Sequence, residues 1–265
     1  MDTTAFNDER IKRIIKGAKR VIGTAPPRPR KEITKDILVA ILSHLNKDTY
    51  DDLNIYAAFC TAFAAFLRCG EFTWDSWKAD SHLFYLSRSS VQFHENSVTL
   101  ALPSSKTDPY RQGTRIPLAR SSDIACPVTA LSLLFTRYPS RSPSDPLFSR
   151  TLGTFNQSWV ISRLHSTLLA AGIDPTSFSG HSFRRGAANT AAAAGIPTAG
   201  IMELGRWKSD AVNRYFSTDT IQSNRLLLSQ QLHSQPGPST SSPAVVATNS
   251  NAFQPPNPPD LQNRS

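Results

Sequence analysis

Long apolar runs, paired cysteines and metal-ligand clusters are all missing from this chain of 265 residues. No apolar run approaches the ~20 residues that a helix needs to cross a bilayer, and no hydrophobic signal core stands at the N-terminus. The three cysteines form no CxxC pair, which argues against a disulfide framework and a structural zinc site. Carboxylates and Cys/His pairs at metal-ligand spacing are also lacking. These absences indicate an intracellular, soluble, globular protein, and they agree with a function that needs no metal and no small-molecule cofactor.

Positive charge is what the chain has in excess. Lysine and arginine number 29 against 20 aspartate and glutamate residues, which gives a formal net charge of +9. Residues 1–31 alone hold nine of the basic residues against three acidic ones. A basic soluble chain indicates a polyanionic partner, with nucleic acid first and an anionic membrane surface second.

The two ends of the chain differ in composition from its middle. Residues 8–21 have the spacing of a basic amphipathic helix, and the prolines that follow predict an extended linker up to residue 31. Residues 233–265 are rich in proline and serine and almost uncharged. Such a segment cannot bury enough apolar area to offset its ordering entropy, so we predict a disordered tail. Residues 32–232 remain as the folded domain.

The middle of the chain predicts a mainly helical domain with one small antiparallel sheet, an α+β fold. Residues 82–118 alternate between apolar and polar positions and are interrupted by turn residues, which predicts a small antiparallel meander. Helical patterns cover most of the rest. They fall at 35–46, 52–68, 127–138, 156–171, 182–194, 198–204, 209–216 and 220–232.

The most informative stretch is His181-Ser182-Phe183-Arg184-Arg185-Gly186. His181 and Arg184 are three residues apart, so at a helix start they share a face, and a helix N-terminus also attracts anions. This combination fits a phosphate site with a proton-transfer group, although a cap and a surface ion pair are the commoner use of such residues. Further on, Leu204-Gly205-Arg206-Trp207 precedes Tyr215. A tyrosine there is normally a core residue, but beside cations its hydroxyl can attack phosphorus.

These residues, in this order, resemble the C-terminal signature of the tyrosine recombinase (phage integrase-like) family. That family uses an arginine, a lysine, a His-x-x-Arg pair, a histidine or tryptophan, and a tyrosine nucleophile, in that order. Upstream, Leu67-Arg68-Cys69-Gly70-Glu71 looks like the first-arginine motif, and Ser105-Lys106-Thr107 looks like the lysine loop of a small sheet. The resemblance covers about residues 35–232, and the amino-acid sequence around the motifs looks closest to that of eukaryotic mobile-element members. It implies a recombinase catalytic domain.

The resemblance implies a set of catalytic residues. Two arginines would hold the non-bridging phosphate oxygens, the lysine would protonate the departing 5′-oxygen, and the tyrosine would form a 3′-phosphotyrosine link. The histidine would assist proton transfer. The set is Arg68, Lys106, His181, Arg184, Trp207 and Tyr215, with Glu71 and Arg206 in support. Trp207 has the expected residue type for the His/Trp position and is the favoured candidate, whereas Arg206, which stands at the expected nine residues before Tyr215, is the alternate.

The resemblance also implies partners. Double-stranded DNA is the expected partner, together with a homo-oligomer, such as a tetramer, on that DNA. The expected location is intracellular, and nuclear if the source is eukaryotic. Backbone contacts to DNA are expected from basic residues on the N-terminal segment and around the motifs. They are Lys12, Lys16, Lys19, Arg20, Arg28, Arg30, Arg185, Lys208 and Arg214.

Three functions remain open at this point. The first is metal-independent DNA strand breakage and rejoining, as site-specific recombination or integration. The second is a type IB topoisomerase-like activity, which relaxes supercoils with the same chemistry. The third is a catalytically silent DNA-binding module derived from a mobile element. Family members carry an N-terminal core-binding domain, and residues 1–31 are expected to be only its last helix and the interdomain linker.

Overall fold

The computed structural model describes residues 8–23, 30–104, 110, 112–207 and 212. This part of the chain forms helices around one small sheet, which is the mainly helical α+β fold predicted from sequence. The strands are β1 (Val91–Phe93), β2 (Ser97–Leu102) and β3 (Thr114–Ala119). The helices are α1 (Glu9–Ile22), α2 (Lys35–Ser43), α3 (Tyr50–Ala64), α4 (Cys69–Phe72), α5 (Pro127–Arg137), α6 (Gln157–Ala170), α7 (Ser182–Ala193) and α8 (Thr198–Leu204).

Several helices begin at residues whose side chains cap the first turn. The hydroxyl of Thr34 accepts a hydrogen bond from the backbone N–H of Ile37 at 3.3 Å, at the start of α2. The amide oxygen of Asn156 accepts one from the N–H of Trp159 at 2.9 Å. Each bond satisfies an N–H that the first helical turn leaves without a backbone partner.

Helix α3 is the centre of the core. It is buried on almost every side and packs against α2, α5 and α7, which explains why its sequence is apolar all round. The ring centroids of Phe59 on α3 and Phe183 on α7 lie 4.7 Å apart. The helix ends at Ala64 rather than near residue 68, because Phe66 adopts a left-handed conformation with φ 52° and reverses the chain. The short helix α4 begins directly after this reversal.

The sheet has the order β1-β2-β3, and both pairs are antiparallel. Val98, Leu100 and Leu102 on the central strand are all buried, as the period-two pattern predicts. The prediction is wrong for residues 82–90. This stretch forms two short 3-10 turns, Ser81–Leu83 and Arg88–Ser90, so the meander begins only at Val91.

Helix α1 forms where the sequence predicts it, and it leaves apolar side chains such as Ile14 and Val21 largely exposed. In the ranges that the structure describes, no helix is both long and apolar enough to cross a membrane. The helices predicted at 209–216 and 220–232 and the tail predicted at 233–265 lie outside the described residues, except Val212.

Candidate active site

Two reversals of the chain form the framework of the site. One follows α3 at Phe66, and the other follows α8 at Arg206, where φ is 57°. Residues other than glycine rarely adopt such positive φ values, and those that do often lie at functional sites. Both turns direct backbone carbonyl groups toward the arginine side chains described next.

Arg184 joins the two turns from the inside of the protein. Its side chain is fully buried, its Nη1 donates to the carbonyl of Phe66 at 2.6 Å, and its Nη2 donates to the carbonyl of Gly205. The ring of Trp207 covers it, with the guanidinium carbon 4.1 Å from the ring centroid. Burying a charge is costly unless hydrogen bonds compensate for lost water, and here two carbonyl groups and an aromatic face do so.

Two further arginines, Arg68 and Arg206, share the carboxylate of Glu71. Nη1 of Arg68 donates to Oε1 at 2.7 Å, and Nη2 of Arg206 donates to Oε2 at 3.0 Å. The backbone N–H of Arg68 also donates to Oε2 at 2.8 Å. The Glu71 side chain is only 5% exposed. Burial lowers the pKa of Arg206, and the attraction of Glu71 opposes that effect. We call Arg68, Glu71 and Arg206 the buried triad, after the buried carboxylate that the two partly buried arginines share.

Helix α7 brings the histidine motif against the triad. Gly180 lies so close to α4 that a Cβ atom there would stand 2.8 Å from the Cβ of Cys69, the residue after Arg68. Only glycine at this position allows such a close approach without a shift of Cys69. His181 follows at the N-cap position of α7 and is exposed to solvent. The first-arginine motif and the histidine motif, distant in sequence, therefore meet in space.

The chain is similar to known proteins in its three-dimensional structure and not in its sequence. No protein-family model matches the sequence, and no curated protein matches it either. Among solved structures, XerH site-specific recombinase bound to a palindromic difH substrate, in a post-cleavage complex, matches with TM-score 0.54 and 12% identity, over 79% of this chain and 54% of that one. XerA recombinase matches with TM-score 0.54 and 16% identity, over 83% and 73%. A lambda integrase dimer bound to a COC′ core site matches with TM-score 0.50 and 15% identity, over 76% and 55%.

The chain has the tyrosine recombinase catalytic-domain fold. It spans about half the length of the matched XerH and lambda integrase chains. Within this recombinase fold, α4 carries the first-arginine motif and α7 carries the His-x-x-Arg motif. The turn after α8 carries Arg206 and Trp207.

The two candidates for the His/Trp position occupy different places in the recombinase fold. Arg206 belongs to the buried triad and also donates from Nη1 to the carbonyl of Ala65 at 3.0 Å. Trp207 lies over Arg184, and its ring meets that of Phe66 edge-on at 6.3 Å. Arg206 therefore contacts the triad, Trp207 contacts Arg184, and both contact Phe66.

Several predicted site residues lie outside the described part of the chain. They are Lys106, Tyr215, Arg28, Lys208 and Arg214, and the side chain of Lys19. Lys106 falls in sequence between the end of β2 and the start of β3. Near the start of that connection, the hydroxyl of Ser104 donates to the carbonyl of Phe84 at 2.9 Å.

The predicted DNA-contacting residues that the structure describes divide into two groups. Lys12, Lys16 and Arg20 extend from α1 and are exposed, and Lys12 forms an ion pair with Glu9 at 3.3 Å. Arg185, by contrast, donates from Nη1 to the backbone carbonyl of Arg30 at 2.7 Å. Arg185 thus contacts the segment that precedes α2, a role that sequence reasoning missed.

No group of three or more His, Cys, Asp or Glu side chains in the described ranges is arranged to hold a metal ion.

Sequence reasoning also missed the carbonyl acceptors at Ala65, Phe66 and Gly205. Backbone acceptors have no residue type, so no pattern of letters could have identified them. The available signal was indirect: an arginine follows a glycine in Gly205-Arg206, just after the last residue of a predicted helix.

Proposed function

We propose that this chain breaks and rejoins double-stranded DNA as a recombinase or integrase of the tyrosine type. The observation that carries the proposal is the meeting of the buried triad with the histidine motif in a recombinase fold. The XerH and lambda integrase structures with the same fold are complexes with their DNA sites, which supports DNA as the substrate. A tetramer on DNA is part of the proposal, since strand exchange requires more than one active site.

The charge balance of the site supports phosphoryl transfer. Arg68, Arg184 and Arg206 contribute three positive charges within this small region, and Glu71 neutralises only one of them. A phosphate undergoing attack gains negative charge in its transition state, and fixed guanidinium groups stabilise that charge by paired hydrogen bonds. The excess of cations is therefore suited to a scissile phosphate.

The roles follow from position and chemistry. Arg68, at the N-cap of α4, would bind a non-bridging phosphate oxygen, and Glu71 would hold the Arg68 guanidinium in position. Arg184 would hold a second non-bridging oxygen, because it belongs to the His-x-x-Arg motif and its guanidinium is fixed beside the turns at Phe66 and Gly205. His181, exposed at the start of α7, would assist proton transfer.

The remaining steps are assigned to residues beyond the described ranges. Tyr215 would attack phosphorus and form the 3′-phosphotyrosine bond, and Lys106 would give a proton to the departing 5′-oxygen. The reverse reaction on a partner strand would restore the phosphodiester and release the tyrosine. Atoms and charge balance without a nucleotide cofactor, since the phosphotyrosine link keeps the energy of the broken bond.

A covalent adduct is the decisive test. We would incubate the protein with a pool of nicked duplexes, in which the short cleaved strand diffuses away, and analyse the products on a denaturing gel without divalent metal. We expect an adduct with the wild type and with Tyr110→Phe, a matched control at a tyrosine that is 85% exposed. Tyr215→Phe should form none.

Two outcomes would contradict the proposal. An adduct that persists in Tyr215→Phe would assign the nucleophile elsewhere, and the absence of any adduct despite DNA binding would favour the silent binding module. Strand exchange between two labelled duplexes then separates a recombinase from a topoisomerase. Relaxation of supercoils without exchange would indicate the topoisomerase.

A further inference from the structure

Helix α7 has a second face that the proposed chemistry does not use. Arg184 lies on the side of α7 that faces the two turns, and His181 stands at the N-cap of the same helix. A different set of residues recurs at the spacing i, i+3, i+4 and i+7, which is one face of a helix. These residues are Ser182, Arg185, Gly186 and Asn189.

That second face holds residues 30–33, the last part of the segment between α1 and α2. The backbone N–H of Ile33 donates to the carbonyl of Ser182 at 3.0 Å. The hydroxyl of Ser182 donates to the carbonyl of Lys31 at 2.8 Å. The N–H of Lys31 donates to the carbonyl of Ser177 at 2.9 Å. The segment is therefore joined by its own backbone to the chain on both sides of His181.

The other residues of this face complete the contact. Gly186 lies so close to the segment that a Cβ atom would overlap the carbonyl oxygen of Ile33. The amide of Asn189 donates to Oε2 of Glu32 at 2.6 Å, and Arg185 donates to the carbonyl of Arg30 at 2.7 Å. Ile33 is fully buried. Displacing the segment would thus break five hydrogen bonds and expose a core residue.

We propose that this face of α7, which we call the linker seat, couples DNA binding by α1 to the geometry of the active site. Its four residues are positioning residues, because they act through residues 30–33 and through the start of α7. The proposal rests on the proposed function. Its physical basis is that the segment follows the basic helix α1 and leads directly into the Thr34 cap of α2.

The consequence is specific to the N-terminal end of α7. Phosphates bound to α1 would restrain the connection that leads to α2, and the hydrogen bonds that Lys31 and Ile33 form with Ser182 would carry this restraint to the start of α7. Ser182 stands between His181 and Arg184 in sequence, so the restraint acts where the site needs fixed geometry. Small losses of such positioning reduce reaction rates strongly, even when binding is unchanged.

The test measures hydrogen exchange at residues 182–186 in the full chain, with and without a mixed-sequence DNA duplex. The Tyr215→Phe background prevents cleavage, so this readout does not depend on the proposed chemistry. We expect DNA to slow exchange at these residues in that background. In Gly186→Ala the slowing should be smaller while DNA is still bound, because direct contact of DNA with the start of α7 remains and only the restraint from residues 30–33 is lost. Gly17→Ala is the matched control, since a Cβ there meets no atom within 4 Å, and it should retain the slowing.

Two further variants guard against a misfolded protein. Asn189→Ala and Ser182→Ala each remove seat hydrogen bonds without an added atom, and each should reduce the slowing in part. In the wild-type background, adduct formation at saturating DNA should fall by about tenfold or more in Gly186→Ala, since misplacement affects the reaction step, while the dissociation constant changes little.

The proposal is overturned if DNA slows exchange equally in Gly186→Ala and in the parent chain, or if bound DNA does not slow it in either. A wild type that binds DNA and shows the seat-dependent slowing, yet forms no adduct, would refute the proposed chemistry and leave the coupling intact. The two failures are therefore distinguishable.

Discussion

Glu71 is the residue on which the arrangement of the triad depends most directly. It accepts hydrogen bonds from the guanidinium of Arg68, from that of Arg206 and from the backbone N–H of Arg68. The family resemblance implies only a supporting role for Glu71, and the sequence pattern places Arg68 at the end of a helix, whereas the structure places it at the start of α4. The pairing with Arg206 joins residues that are 135 positions apart, and no local pattern predicts it.

Replacing Glu71 by glutamine should strongly destabilise the fold. The variant leaves two guanidinium groups without a counter-charge, with side chains only 19% and 11% exposed. Breaking a buried ion pair on one side costs about 3 kcal/mol or more, so the free energy of unfolding in urea should fall by that amount. The control is Asp48→Asn, whose pair with Arg137 is half to fully exposed and should be worth less than about 1 kcal/mol. Equal effects of the two changes would contradict the assignment.

Arg184→Lys separates charge from geometry at the other arginine. A lysine keeps the charge, but one ammonium group cannot replace a planar guanidinium that reaches two carbonyls on different turns. We expect a loss of about 1–3 kcal/mol in unfolding free energy, because a buried carbonyl loses its donor, and no adduct on nicked DNA. Arg115→Lys, at an exposed position on β3, should match the wild type in both measurements. An active Arg184→Lys variant would remove Arg184 from the proposed site.

At the scale of whole elements, the sequence predicts the type of most helices and misses some boundaries. The apolar pattern of α3 continues past Ala64, so it predicts a helix up to residue 68. The chain instead reverses at Phe66, whose left-handed backbone has no marker such as glycine. Likewise, Phe84 and Leu86 fit a strand pattern, yet the stretch forms 3-10 turns. Short apolar alternations are compatible with both structures, and tertiary packing decides between them.

The N-terminus of α5 contains a thiol whose ionisation should affect stability. Sγ of Cys126 accepts hydrogen bonds from the backbone N–H groups of Ser121 at 3.2 Å and Thr129 at 3.4 Å. Burial by itself raises the pKa of Cys126, but these donors outweigh it and lower the pKa from 9.0 to about 7. A pKa below the unfolded value means that the thiolate stabilises the folded chain.

That stabilisation should be fully present above pH 9.0 and lost as the pH falls through about 7. Cys126→Ser keeps a capping oxygen but cannot ionise in this range. Between pH 7 and pH 9, the unfolding free energy of the wild type should therefore rise relative to that of the variant, by on the order of 1 kcal/mol. Urea denaturation at a series of pH values measures the difference, and parallel profiles would show that the thiol stays protonated.

For the whole molecule, the order of motifs along the chain carries most of the information. Each motif alone is weak, but an arginine at the start of α4 and a His-x-x-Arg at the start of α7 fit one fold, and the fold brings them together. What the order cannot predict is the second face of α7. Gly186 and Asn189 are ordinary helix residues in sequence, and their contacts are with residues more than 150 positions away.

The charge on α1 leads to a prediction about DNA binding by the intact chain. Lys12 and Lys16 are exposed on this helix, and glutamine has nearly the same helix propensity as lysine. Each phosphate contact contributes about 0.9 to the slope of log affinity against log salt concentration, because neutralising a phosphate releases counterions. The double variant Lys12→Gln, Lys16→Gln should therefore bind a mixed-sequence duplex more weakly, with a slope that is shallower by about 1.8.

Glu9→Gln is the control, because it removes a negative charge from the same helix and frees Lys12 from its ion pair with Glu9. This variant should bind at least as tightly as the wild type, with no shallower slope. If the double variant keeps the wild-type slope, α1 does not contact phosphates, and coupling through the linker seat would lose its starting point.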